Sequence, residues 1–266
     1  MEVISQWQMF LTSFMRYVTW LDSIEIIFIF IPLVYWCIDE KKGIQLGIVL
    51  LISIWVNLAF LNNGSFPLAQ GQNALVFWVV MASLGKKKWP YFAAAGICLL
   101  VSFSCFYTEV NTLIELGGAW FMGAIILSVY FLAGKKIDTL ISSCHPRFGM
   151  ISCSVIAFAM IQYRPSVFML LPAGAVFGIG VAYQILKKHA GFSVKTERSI
   201  FLIPRFVLGI CPLALLYFFF GDVVSLLEKI GNFQLVVFVC SVLVSFWVFA
   251  GAPWVFVKLR LCKTEN

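Results

Sequence analysis

Polar positions are scarce along the 266 residues and fall in clusters, so the chain reads as long apolar runs separated by short charged or polar connections. The runs lie near 24–38, 43–61, 70–84, 89–107, 112–133, 149–163, 166–186, 200–220 and 232–257. Crossing the hydrocarbon takes about 20 mostly apolar residues, and only helices or closed barrels satisfy their backbone groups there. No run alternates with period two, which selects helices. The expected fold is all-α, a polytopic transmembrane helix bundle of about nine spans. The range is seven to nine, because the short sixth run and the seventh can also form one hairpin dipping into the membrane. Residues 1–22 are apolar but broken by Gln, Ser, Thr and Arg, and are expected as an interfacial amphipathic helix. They lack a basic start and a small-residue cleavage site, so no cleaved signal peptide is expected.

Composition agrees: 62% hydrophobic, 17% aromatic and 12% charged residues exceed what soluble globular chains carry. The cations add an orientation. Fifteen of the 19 Lys and Arg fall on alternate connections, at Lys41–Lys42, Lys86–Lys88, Lys135 to Arg147, Lys187 to Arg198, and Lys258 to Lys263. The positive-inside rule then puts the carboxyl tail in the cytoplasm and the amino terminus outside, as in a bacterial-type cytoplasmic membrane. The net charge of +7 is spread over one membrane face, which suits anionic lipid headgroups and not nucleic acid. Eight scattered cysteines form no C-x-x-C pair, and there is no glycine-rich phosphate loop, so no metal or cofactor is expected.

Two outward connections hold most of the chemistry: Asn62 to Gln72, and Thr108 to Thr112. The candidates are Asn57, Gln70, Gln72, Asn73, Glu109, Asn111 and Glu115. Such residues either line a cavity and pair with one another, or cap helix ends and hydrogen-bond between helices. Gly174 and Gly178 form a G-x-x-x-G whose expected use is close packing within the monomer. Arg205, inside the eighth run, is expected to snorkel to the headgroups, and Trp89, Tyr91, Tyr107 and Tyr163 to anchor at the interface. His145 and His189, the only histidines, fall on cytoplasmic connections among cations.

The run FPLAQGQNALVFW, followed by KKKWPYFAAAGICLLVSFSCFYTEVNTLIELGGAWFMGAII, resembles the core of the type 2 phosphatidic acid phosphatase superfamily of membrane lipid phosphatases. The upstream IPLVYWCIDEKKGIQLG is similar to the segment preceding the first signature in bacterial members, so the resemblance runs from Ile24 to Leu132. The family carries Lys, six residues, Arg-Pro; then Pro-Ser-Gly-His; then Ser-Arg, five residues, His, three residues, Asp. Here Pro67 is kept, but Leu68, Ala69 and Gln70 stand at the Ser, Gly and His of the second signature. Ser104 is kept, while Cys105, Asn111 and Glu115 replace the Arg, His and Asp of the third at unchanged spacing. Asn57, Gly64 and Ser65 fall at the Lys, Arg and Pro of the first.

The resemblance implies a site in which His attacks phosphorus, Asp holds its tautomer, a second His protonates the leaving alkoxide, and cations grip the phosphoryl oxygens. Amides supply neither a nucleophilic nitrogen nor a titratable proton. Losing one such member typically costs about 10⁴ to 10⁶ in rate, and here every member is changed. The expectation is a vestigial site with no catalytic residue intact (Asn57, Gly64, Leu68, Gln70, Ser104, Cys105, Asn111, Glu115) in a core spanning 23–133. Residues 134–266 add further transmembrane helices with no motif attached to a function. The expected role is a non-catalytic lipid or protein binder. The alternatives are an active phosphatidic acid or isoprenyl diphosphate phosphatase with rearranged chemistry, for which Cys105 or Glu109 and Glu115 would have to serve, and a lipid carrier.

Overall fold

A computed structural model describes residues 2–19, 21, 23–60, 69–85, 87–108, 112–143, 145–163, 166–188, 192–193, 201–228 and 233–264. Nearly all of them are helical. In chain order these are α1 (Glu2–Thr19), α2 (Ile24–Leu33) continued by a π-helical turn Val34–Ile38, α3 (Glu40–Phe60), α4 (Ala69–Ser83), α5 (Trp89–Tyr107) and α6 (Leu113–Ser143). Then follow α7 (Pro146–Tyr163), α8 (Val167–Lys188), α9 (Leu202–Glu228), α10 (Phe233–Phe246), a second π-helical turn Trp247–Gly251, and α11 (Ala252–Lys258). Two-residue strands β1 (Phe192–Ser193) and β2 (Lys263–Thr264) pair antiparallel.

Among the described residues six helices are long and apolar enough to cross a membrane: Glu40–Phe60, Trp89–Tyr107, Leu113–Gly134, Val167–Leu186, Leu202–Phe219 and Phe233–Lys258. Phe28–Cys37, Gly71–Ser83 and Arg147–Tyr163 are shorter apolar helices. Their outward faces carry large apolar side chains such as Phe92, Phe121, Leu132 and Phe218, all more than 60% exposed, a surface that only lipid covers well. The all-α membrane-protein class read from the hydropathy pattern is therefore what the chain adopts.

The chain divides into two compact units, residues 1–28 with 52–135 and residues 29–51 with 136–266. In the first, α5 packs on α4 and α1. Val18, Ala74, Val101, Cys105 and Leu116 form its buried apolar cluster. Gly71 and Gly123 let α4 and α6 meet closely: a β-carbon at Gly123 would lie 3.0 Å from Leu75 Cδ2.

In the second unit α8 packs on α7 and α10. The G-x-x-x-G is used internally, as expected. A β-carbon at Gly174 would come 2.7 Å from the Phe238 carbonyl oxygen, and one at Gly178 would come 2.6 Å from that of Val242, so α8 and α10 touch backbone to backbone.

The two π-helical turns face each other, and their pairing follows from the backbone. Ala252 N–H bonds to Trp247 O, five residues back, which releases the Val248 carbonyl from its α-helical partner. Pro253 has no N–H to give to the Phe249 carbonyl. Both freed acceptors are met by side chains of the other turn: Trp36 Nε1 donates to Val248 O at 2.9 Å and Tyr35 Oη to Phe249 O at 3.1 Å. In that turn Asp39 N–H likewise reaches back five residues to Val34 O, and the Trp36 carbonyl accepts from Arg205 Nη1 at 3.4 Å. Trp36 lies against Gly209, where a β-carbon would be 2.3 Å from the indole ring. Asp39 then caps α3, its Oδ1 accepting the Lys42 N–H at 3.0 Å.

Arg205 corrects the sequence reading. It is fully buried instead of snorkelling to headgroups, and its Nε and Nη2 both donate to the Leu261 carbonyl while Nη1 serves Trp36. A guanidinium carries five donors in a rigid fork, so one side chain can tie a helix, a π turn and the carboxyl tail together through carbonyls.

Candidate functional site

The described positions of the expected vestigial site belong to the first unit. Gly64, Leu68 and Asn111 lie outside the described residues, as does Glu109. Gln70 is in the first turn of α4, with its side chain outside the description. Asn57, Ser104, Cys105 and Glu115 are described.

Asn57 is 2% exposed on α3, and Ser53, one turn earlier on the same face, is fully buried. Across from them, Gln72 and Asn73 are buried on α4. Ser53 Oγ donates to Asn73 Oδ1 at 2.7 Å, and Gln72 Nε2 donates to the Ser53 carbonyl at 2.9 Å and to Ser53 Oγ at 3.0 Å. These side chains form an uncharged polar seam between two apolar helices. Buried polar groups in such a setting persist because they are bonded to one another. The sequence reading named Asn57, Gln72 and Asn73 but missed Ser53. The spacing of Ser53 and Asn57, the polar residues on one face of LLISIWVNLAF, is the signal that finds it.

Ser104 and Cys105 do different work. Ser104 is fully buried, donates to the Met15 carbonyl, and sits 2.6 Å from Thr19 Oγ1, which also donates to Met15 O at 3.0 Å. It fastens α5 to α1, a partner helix that the sequence assigned to the membrane surface. Cys105 is fully buried in the apolar cluster with Val18, Ala74, Val101 and Leu116. A thiolate nucleophile needs access and a nearby positive charge, and that cluster holds neither.

Glu115 is used locally. Thr112 N–H donates to Glu115 Oε2 at 2.7 Å, and Glu115 N–H donates to Thr112 Oγ1 at 3.3 Å. This reciprocal pair is a capping box that opens α6, with Thr112 at the N-cap and Glu115 three residues on. The position that holds Asp in the family signature thus caps a helix here, one of the two uses the sequence left open. His145 is exposed at the start of α7, its carbonyl accepting the Phe148 N–H at 2.9 Å; His189 lies outside the described residues.

Among the described residues no group of three or more His, Cys, Asp or Glu side chains is placed to hold a metal. The arrangement offers amide and hydroxyl hydrogen bonds, in a setting fitted to neutral polar groups.

Residues 170–264, about a third of the chain, match the family model for the PAP2 superfamily phosphatase, transmembrane extension. No curated protein and no solved structure matches. The match lies beyond the 24–132 stretch on which the sequence resemblance rested, over α8 to β2, where the sequence offered no motif attached to a function. It contains Arg205, which donates to the Trp36 and Leu261 carbonyls, and the second π-helical turn, whose Val248 and Phe249 carbonyls accept from Trp36 and Tyr35.

Proposed function

From a chain that belongs to the PAP2 superfamily and carries its transmembrane extension, we propose an integral membrane protein that keeps a lipid-phosphatase-like scaffold without the chemistry, and binds a lipid or a protein. The reading takes residues 23–133 as the core, residues 134–266 as additional transmembrane helices and residues 1–22 as an interfacial helix. In it about nine spans leave the amino terminus outside and the carboxyl tail in the cytoplasm, in a bacterial-type cytoplasmic membrane.

The observation that carries the reading is the use made of two side chains that would have to take over. Cys105 is enclosed in an apolar cluster and Glu115 is committed to the Thr112 cap. Neither is left as nucleophile or general base, and the substitutions at Asn57, Gln70 and Asn111 supply amides where phosphate handling needs cations and histidines. Removing cations and anions together also avoids leaving a buried charge unpaired.

Native mass spectrometry of the purified chain tests the binding role. The expected result is bound lipid or protein that survives purification with its mass unchanged. A chain that retains nothing, or ligand-dependent protection of cysteines placed at both membrane faces, which marks a carrier, would sink this reading.

A further inference from the structure

The end of α11 places a cation where the backbone favours glycine. Arg260 N–H donates to Val257 O at 3.0 Å and Leu261 N–H to Phe256 O at 2.9 Å, the two bonds of a Schellman motif. That motif holds Arg260 in the left-handed conformation, φ 56°, in which any side chain is strained. Among the described residues no other non-glycine has a positive φ. The far side of the turn is pinned as well, since Arg205 Nε donates to the Leu261 carbonyl at 3.0 Å and Cys262 is buried. Between these two fixed flanks Arg260 is exposed.

Its neighbours complete a surface fitted to a headgroup. Lys258 is exposed, and its Nζ lies 4.9 Å from the centroid of the Trp254 ring, so the indole face one turn back holds the ammonium. Trp254 and Leu259 are 59% and 53% exposed and give the two cations an apolar border. Lys258 closes the candidate span Phe233–Lys258, which sets the group at the boundary between hydrocarbon and water. No Asp or Glu stands between Glu228 and Glu265 to neutralise the pair from its own segment. The Val255, Phe256 and Val257 carbonyls already accept from Leu259, Leu261 and Arg260, which reduces the negative charge that a helix end otherwise shows an anion.

We propose that Arg260 and Lys258 bind the phosphodiester of an anionic membrane phospholipid, with Trp254 and Leu259 against its glycerol and upper acyl carbons. The guanidinium fork matches two phosphoryl oxygens, and the ammonium adds a point charge. A backbone strained to present a cation is the kind of feature that a ligand accounts for. The orientation read from the cations puts this end at the cytoplasmic leaflet, where anionic lipids gather. The site belongs to the second unit and is independent of the reading of residues 57–115.

The test is native mass spectrometry of the purified chain in neutral detergent, titrated with phosphatidylglycerol and separately with phosphatidylcholine. Wild type is expected to take up phosphatidylglycerol at the lower concentration. One cation beside an anionic headgroup is worth about fivefold in affinity, so Arg260→Gly and Lys258→Gln are each expected to weaken phosphatidylglycerol about fivefold and leave phosphatidylcholine unchanged. Arg260→Gly is the sharper variant, because it is also expected to raise the melting temperature in lipid-free detergent. Stability and binding then move in opposite directions, which a purely structural arginine would not produce. Lys136→Gln removes the same charge from another exposed position and is expected to change neither lipid's binding. Phosphatidylglycerol binding that is equal in wild type and Arg260→Gly overturns the proposal, as does an equal loss in Lys136→Gln, which would reduce the effect to net charge. Sodium phosphate is expected to displace the lipid no better than sodium chloride of equal ionic strength; specific displacement by phosphate would overturn the choice of a membrane lipid.

Discussion

Arg205→Met removes a single fork of donors from the second unit while keeping much of the side chain's length. The guanidinium serves two carbonyls, Leu261 through Nε and Nη2 and Trp36 through Nη1. Hydrogen bonds from a charged group contribute about 1.5–3 kcal/mol each, but two of these three share one acceptor. The cost of keeping a guanidinium out of water is also recovered in the variant. A net loss of about 2 kcal/mol is expected, roughly a 30-fold rise in the population whose tail has come away. Cys262, next to Leu261, reports on this directly. It is buried, and burial pushes its thiol up to about 11, so in the wild type it is expected to react slowly with maleimide at neutral pH and faster as the pH approaches 11. In Arg205→Met the carboxyl-terminal peptide is expected to label many times faster at pH 7, as read by mass spectrometry. Unchanged labelling together with an unchanged melting temperature would refute the carbonyl clamp.

Gly178→Val drives a side chain into the Val242 carbonyl, and is expected to cost about 1–3 kcal/mol or more in a melt of the detergent-solubilised protein, because backbone cannot move aside as a side chain would. Arg260 has φ 56°, the left-handed conformation that ends α11, so Arg260→Gly is expected to stabilise the chain by about 1 kcal/mol in the same assay. Glu115→Gln still accepts the Thr112 N–H and is expected to preserve the protection of the first turn of α6 in hydrogen exchange, whereas Glu115→Ala is expected to lose it.

Much of the helical layout was legible because hydropathy and charge both punctuate the chain. Glu40–Phe60 and Trp89–Tyr107 start and stop within a few residues of where the apolar runs do. The π-helical turns were not legible, since one residue of extra register leaves apolar composition unchanged; Pro253 in WVFAGAPWV was the local trace of the second. Arg205 was misread because a cation near a span end usually reaches for headgroups, and only three-dimensional packing reveals carbonyls gathered around it. Ser104 was recognised as an inherited position, yet its partners Met15 and Thr19 lie on a distant stretch of sequence that no local pattern links to it. Glu115 could have been placed, because Thr112 three residues earlier spells a capping box.

Phosphate release from phosphatidic acid and isoprenyl diphosphate by the purified chain tests the loss of chemistry most directly. The account predicts release no faster than the protein-free control, unaffected by vanadate and the same in Cys105→Ala and Glu115→Ala. Release that vanadate inhibits and that either substitution abolishes would contradict it.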